Sequence, residues 1–451
     1  MTDIQLIRTP SLGDNSYLLA SGDEAAIVDP QRDVWPVLRA CRQRGLTLRY
    51  VLETHVHNDY VSGAQEARAA TGARVVAPAR GRYTFDHLPV VEGDEIVLGD
   101  LAVRVMETPG HTPEHVSYLV VDDRRPAAVF TGGSLIAGSA GRTDLLGTEA
   151  ANDLTRAQFR SLRRLAALPE TTGVLPTHGA GSFCARSAAS GSPTSTIGAE
   201  RRTNPALLIT DEERFVRERL TGLPRFPAYY RHMAPINRAG ARVLRRAPAL
   251  RALTPDQVAR LSTRDGWVVD ARDRRSFAAE HVPGSINDEL DFGFASYLGW
   301  IVPFGAPVAL VLPEPVAESA REAVVQLLRI GYDRVAGYLD GGIDAWLASG
   351  RKVRSYPVAD IGRLAAQDGR IDVLDVRQPF EVEQGRIPGS THVFVGDLAA
   401  NLPHPRPGRE VWTVCASGRR AAIAASLLDR AGIPVTAVTS GGVPDYQEVP
   451  T

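Results

Sequence analysis

Four histidines, one aspartate and one cysteine stand where their types and spacing can do chemistry. The apolar run Tyr50-Val51-Leu52-Glu53-Thr54 leads into His55-Val56-His57-Asn58-Asp59-Tyr60, and strand-like alternation puts His55, His57 and Asp59 on one side of the chain. Imidazole and carboxylate are the groups that hold first-row divalent metals. His111 follows in Thr108-Pro109-Gly110-His111-Thr112-Pro113, and His178 in Pro176-Thr177-His178-Gly179. The Pro or Gly beside each marks a tight turn, and loops at element ends are where sites are built. His87, His232, His281 and His404 read instead as hydrogen-bonded structural histidines.

The second centre lies near the C-terminus, where Val411-Trp412-Thr413-Val414 runs into Cys415-Ala416-Ser417-Gly418-Arg419-Arg420 and a helical pattern over 422–431. This reads as strand, tight loop and helix. Backbone N–H groups and the helix N-terminus would face the Cys415 sulfur, with Arg419 and Arg420 adding positive charge, so that a thiolate or persulfide anion is stabilised. Gly418 suits an unusual backbone angle, and Ser417 offers a hydroxyl donor. Cys41 and Cys184 read as small buried apolar side chains.

These residues need elements to hold them. Residues 1–245 show short β-rich runs (25–28, 50–54, 103–106, 116–121, 128–131) and helical stretches near 152–167 and 211–220. The Ser-, Gly-, Thr- and Ala-rich stretch 185–204 reads as a loop. Beyond it lies an internal repeat: Asp270-Ala271-Arg272 is answered by Asp375-Val376-Arg377, and Pro283-Gly284-Ser285 by Pro388-Gly389-Ser390. The predicted domains are 1–245, 254–352 and 358–449. The first repeat copy has Pro313-Glu314-Pro315-Val316-Ala317-Glu318 where the second has its cysteine loop. Its prolines delete N–H donors and its glutamates repel anions, so the copy is expected to be inactive.

Composition narrows the chemistry. A chain of 451 residues with 44% hydrophobic and 23% charged residues is globular, and its 51 basic against 52 acidic side chains argue against a nucleic-acid or polybasic membrane surface. Lys352 is the only lysine, which excludes P-loop and Schiff-base lysine chemistry. Three scattered cysteines are too few for a disulfide framework, and no run reaches the ~20 apolar residues that span a bilayer. A cytoplasmic protein is expected, acting on small molecules or proteins, with room for a homo-oligomer.

The first 245 residues, with His-x-His-x-Asp at 55–59, Pro-Gly-His at 109–111 and His178, resemble the metallo-β-lactamase fold. Thr131-Gly132-Gly133-Ser134-Leu135 and Gly141-Arg142-Thr143-Asp144 resemble its persulfide dioxygenase and glyoxalase II branch. Residues 358–449 resemble a rhodanese domain, carrying a Cys-x-x-Gly-x-Arg loop, and 254–352 a rhodanese-like domain without the cysteine. The resemblance implies an α/β multidomain chain: an αββα sandwich followed by two rhodanese-like domains, similar to persulfide dioxygenase-sulfurtransferase fusions.

It also implies roles. Metal ligands are expected among His55, His57, Asp59, His111 and His178, with Arg142 and Thr112 on the substrate side. One divalent metal is expected, Fe(II) by the resemblance or Zn(II) held by His55, His57 and His111, with a metal-free scaffold as the alternative. The family's usual ligand aspartate is here Gly133, so the iron triad of His55, His111 and position 133 lacks its anion. Asp59 and Asp144 are the candidate substitutes. Small thiols, persulfides or thiosulfate are the implied partners, and a zinc-dependent thioester hydrolase is the rival activity.

Overall fold

A computed structural model describes residues 2–185, 191–262, 265–367, 371–406 and 408–446. The chain forms two compact units, Met1–Ala247 with Leu328–Gly331, and Pro248–Leu327 with Tyr332–Thr451.

In the first unit, two six-stranded sheets stack face to face. One runs in chain order through Asp3–Thr9, Asp14–Ser21, Glu24–Val28, Thr47–Leu52, Arg74–Pro78 and Leu88–Val90. The other has the order Ser195–Thr196, Gly173–Pro176, Arg125–Gly132, Val116–Asp122, Leu101–Glu107 and Glu95–Leu98. Period-two alternation divides each strand between two cores. In Asp14–Ser21, Tyr17 and Leu19 enter the inter-sheet core with Val103, Tyr118 and Phe130, while Leu18 and Ala20 face helices Trp35–Gln43 and Ala64–Thr71. Helix Thr148–Ala166 covers the other sheet through Leu162 and Leu165. Each large apolar side chain removed from water contributes roughly 1.5–3 kcal/mol. The result is the αββα sandwich.

The stretch 185–204 is less irregular than its composition suggests. Residues 186–190 lie outside the described set, but Ser195–Thr196 pairs as a strand and Ile197–Thr203 is a helix. Thr196 caps that helix, its hydroxyl oxygen accepting from Ala199 N–H at 3.2 Å. Ile197 enters the core beneath helix Thr148–Ala166, so one cap and one buried side chain outweigh the loop-like composition.

The second unit holds two five-stranded parallel sheets with one topology. The orders are 252–253, 335–339, 308–311, 267–270, 286–287, and 358–360, 435–440, 410–414, 371–375, 391–392. The repeated Asp-x-Arg motif acts structurally in both copies. Arg272 and Arg377 fold back on the buried Asp270 and Asp375 with closest contacts of 2.7 Å, fixing the loop after the second strand of each copy.

Candidate functional site

Parallel strands Glu24–Val28 and Thr47–Leu52 end side by side, and the chain leaves them as Asp29 and as the segment Glu53–Tyr60. Strand pairing stops at Leu52, so loop geometry rather than strand alternation gathers His55, His57 and Asp59, all buried. Asp29 organises that loop. It accepts from Thr54 N–H at 2.8 Å, Thr54 Oγ1 at 2.7 Å and Thr177 Oγ1. Burial alone would raise its carboxyl, but the His57 imidazole and these hydrogen bonds outweigh burial and hold it below the ordinary value.

Each histidine spends one nitrogen on the protein. The Thr54 hydroxyl hydrogen goes to Asp29, so His55 Nδ1–H donates to Thr54 Oγ1 at 2.8 Å and its Nε2 is the free lone pair. His111 Nδ1 donates to Arg142 O at 2.7 Å, leaving Nε2 buried without a hydrogen-bond partner. His178 Nδ1 donates to Asp14 Oδ1 at 2.9 Å, and its Nε2 lies 3.4 Å from His55 Nε2. His57 turns Nε2 to Asp29 and Glu53, each 3.2 Å away, leaving Nδ1 unpartnered. Burial opposes its protonation, yet Asp29 and Glu53 raise its pKa well above the usual value. Orienting each ring through its second nitrogen is how proteins prepare histidine for a metal.

The orphaned atoms test that reading. His57 Nδ1, His111 Nε2 and both oxygens of Asp59 are buried without hydrogen-bond partners. An unsatisfied buried polar group costs about 1–3 kcal/mol, so these orphaned atoms, in groups that share His178, fit a cation. His55, His57 and His178 present ligand atoms within 4.8 Å of one another, as do His111, His178 and Cys184. Burial pushes Asp59 and Asp14 up to about 7.

Residues the sequence reading missed complete the site. His115 stacks on His55 with ring centroids 4.9 Å apart, donates from Nδ1 to Thr108 Oγ1 at 2.9 Å, and accepts at Nε2 from Gly133 N–H at 3.0 Å. Burial above all holds its pKa down to about 3, and with both nitrogens used it is a prop rather than a ligand. Asp14, Asp29 and Glu53 also went unread, because nothing in strand-end spacing marks a carboxylate that meets its histidine only after folding. Tyr60 Oη lies 3.1 Å from His57 Nε2.

Position 133 is closed to a side chain. A Cβ there would lie 2.2 Å from His111 Cδ2, while the backbone φ is outside the left-handed region. Gly110, at φ 148°, permits the Pro-Gly-His turn to press on the backbone of Gln158.

Arg142 and Asp144 are placed differently from expectation. The Arg142 guanidinium is buried, forms two 2.7 Å bonds to Asp144 and donates to Phe183 O at 3.2 Å. It is committed to a carboxylate of its own chain, which also removes Asp144 as a substitute ligand. Arg142 serves the site through its carbonyl on His111, while Thr112 Oγ1 is buried and unpartnered. Arg142→Ala is expected to cost about 3 kcal/mol by stranding Asp144, visible as a lower urea midpoint, with thiosulfate turnover at Cys415 unchanged.

In the second unit, Cys415 is buried where strand Glu410–Val414 ends, and Gly418 N–H donates to its Sγ at 3.1 Å. Gly418 has φ 93°, and a Cβ would strike the Thr439 carbonyl at 2.5 Å, so glycine is required before helix Arg419–Arg430. The arginines expected beside the sulfur are ion-paired. Arg419 pairs with Asp288 at 2.9 Å and with Asp291, under the Tyr297 ring, and Arg420 pairs with Glu381. Their charge is answered by carboxylates, while Arg420 also interacts electrostatically with Cys415. Ser417 is exposed, and its carbonyl accepts from Arg274 Nη1 at 3.0 Å. The copy without a cysteine thus supplies Asp288, Asp291, Tyr297 and Arg274 to the cysteine loop of the other.

Among known families, the metallo-beta-lactamase superfamily matches residues 11–178. The hydroxyacylglutathione hydrolase of Cereibacter sphaeroides is 37% identical over 199 residues, covering 43% of this chain and 74% of that protein. The chain belongs to the metallo-beta-lactamase superfamily. Its N-terminal domain has the metallo-beta-lactamase fold, and two rhodanese-like domains follow, matched at 254–349 and 360–449. A second relative, the hydroxyacylglutathione hydrolase of Maricaulis maris, is 34% identical over 240 residues, covering 47% of this chain and 89% of its own. The metallo-beta-lactamase of Staphylococcus aureus subsp. aureus COL superposes with a TM-score of 0.67 at 28% identity, covering 75% of this chain and 98% of that one. This coverage extends beyond the superfamily match into the rhodanese-like part. Among the described residues, no helix is long and apolar enough to cross a membrane.

Proposed function

We propose that this chain is a sulfur-metabolism enzyme in which Cys415 carries sulfane sulfur and the histidine centre acts on a low-molecular-weight persulfide such as glutathione persulfide. The observation that carries the reading is the Cys415 loop, with an N–H donor 3.1 Å from sulfur at a helix N-terminus. The Cys415 thiolate attacks the outer sulfur of thiosulfate, the S–S bond breaks and sulfite leaves. An acceptor thiolate then takes the sulfur from the Cys415 persulfide and restores the thiolate.

In the first unit, His55, His57, His111 and His178 would hold one divalent metal, which when bound supplies Lewis-acid or O₂ chemistry. The protein's own part is positional. Thr54, Asp29, Glu53, Asp14 and the Arg142 carbonyl fix the four rings, and burial keeps bulk water from them.

Hydroxyacylglutathione hydrolase activity is the second reading, favoured by the names of the matched relatives. Elemental analysis of protein purified without added metal, paired with oxygen uptake on glutathione persulfide, tests both. Oxygen consumption in step with bound iron is expected. Zinc with hydrolysis of a glutathione thioester and no oxygen uptake would replace the first reading with the second, and absence of metal and both activities would sink both.

A further inference from the structure

We propose that the Cys184 thiolate is a ligand of the metal centre and supplies the anionic donor missing at Gly133. The inference rests on reading the histidine cluster as a metal centre. Cys184 is fully buried, and its Sγ lies within 4.8 Å of ligand nitrogens on both His111 and His178. His111 Nε2 is buried with no hydrogen-bond partner.

The backbone fixes the position of the cysteine. Cys184 O accepts from Arg142 N–H at 2.8 Å, Cys184 N–H donates to Ser182 Oγ at 3.2 Å, and Gly141 bridges to Ala185. The segment after His178 is thereby laid along the residues whose carbonyl orients His111. Two nitrogens about 2.0–2.1 Å from one tetrahedral metal stand roughly 3.3 Å apart, and His55 Nε2 and His178 Nε2 are 3.4 Å apart. His111, His178 and Cys184 thus form one donor group, which His55 joins through His178.

Asp59 groups with Asp14 and His178, but on the other side of the His178 ring. Asp144 is engaged by Arg142. Asp59 lies 3.3 Å from His178 Nδ1, whereas His55 meets the same ring at Nε2. On coordination the thiol proton leaves to solvent and the sulfur–metal bond forms in its place. A thiolate also draws selectivity toward zinc or iron.

The test uses full-length protein freed of metal by chelation and titrated with Co(II). Thiolate-to-cobalt charge-transfer absorption in the near ultraviolet is expected, reaching a plateau at one equivalent. It should vanish in Cys184→Ser, with cobalt bound at least about 10-fold more weakly. The double variant Cys41→Ser/Cys415→Ser, in which Cys184 is the only thiol of the chain's three cysteines, should keep the band in full, so the result does not depend on Cys184→Ser folding. Cobalt bound with visible d–d absorption but no charge-transfer band would overturn the thiolate ligand and leave the histidine centre standing. No cobalt uptake at all would overturn both.

Discussion

Cys415→Ser is expected to lose thiosulfate:thiol sulfur transfer by on the order of 10⁴-fold, while Cys41→Ser and Cys184→Ser keep most of it. The reason is covalent rather than geometric. A serine oxygen fits beneath Gly418 N–H as sulfur does, but it cannot form the persulfide that splits the transfer into two steps. Cys41 packs into the core from helix Trp35–Gln43, and Cys184 lies beside His111 and His178, so neither touches the loop. Labelled thiosulfate should place sulfane sulfur on Cys415 of the unaltered chain and nowhere in 254–352, where strand Val308–Val311 leads into Pro313, Glu314 and Pro315 rather than a thiol. Substantial transfer in Cys415→Ser, or label in the central copy, would refute the assignment.

Gly133→Asp should not restore an iron site. The backbone angle would accept aspartate, but its Cβ would lie 2.2 Å from Cδ2 and 2.7 Å from Nε2 of His111. To make room the ring must give up its 2.7 Å bond to Arg142 O, so the change that adds a carboxylate dislodges a histidine. Overpacking of this kind costs about 1–3 kcal/mol. Gly133→Ala should therefore destabilise about as much as Gly133→Asp in urea melts, and neither should bind more metal than the unaltered protein when dialysed against Fe(II) and analysed by elemental methods. Iron occupancy above the unaltered level in Gly133→Asp, with stability intact, would show that His111 yields easily and that the vacancy is only one of charge.

Much of the fold was readable because it depends on local order. Period-two apolar runs separated by turn residues mark strands without reference to partners, and a duplicated Asp-x-Arg motif marks a duplicated domain. The stretch 185–204 resisted because its helix depends on Ile197 reaching a core that composition does not reveal. The histidines stood out by type and by the turns beside them. Their partners did not, since Asp14 and His178 are 164 positions apart and meet at 2.9 Å only when the first sheet is folded against the second.

Sequence by itself determined which residues are able to do chemistry here: four turn-borne histidines, a cysteine between strand and helix, and a repeat copy with prolines in place of a nucleophile. Those are matters of residue type and short-range spacing. Tertiary structure alone decided which charges are free to act. Arg142 is spent on Asp144, Arg419 on Asp288 and Asp291, and Arg420 on Glu381, whereas Cys184 stands within reach of His111 and His178. The physical reason is that a buried charge must be paired where it lies, and its partner is chosen by packing of distant segments that no local pattern records.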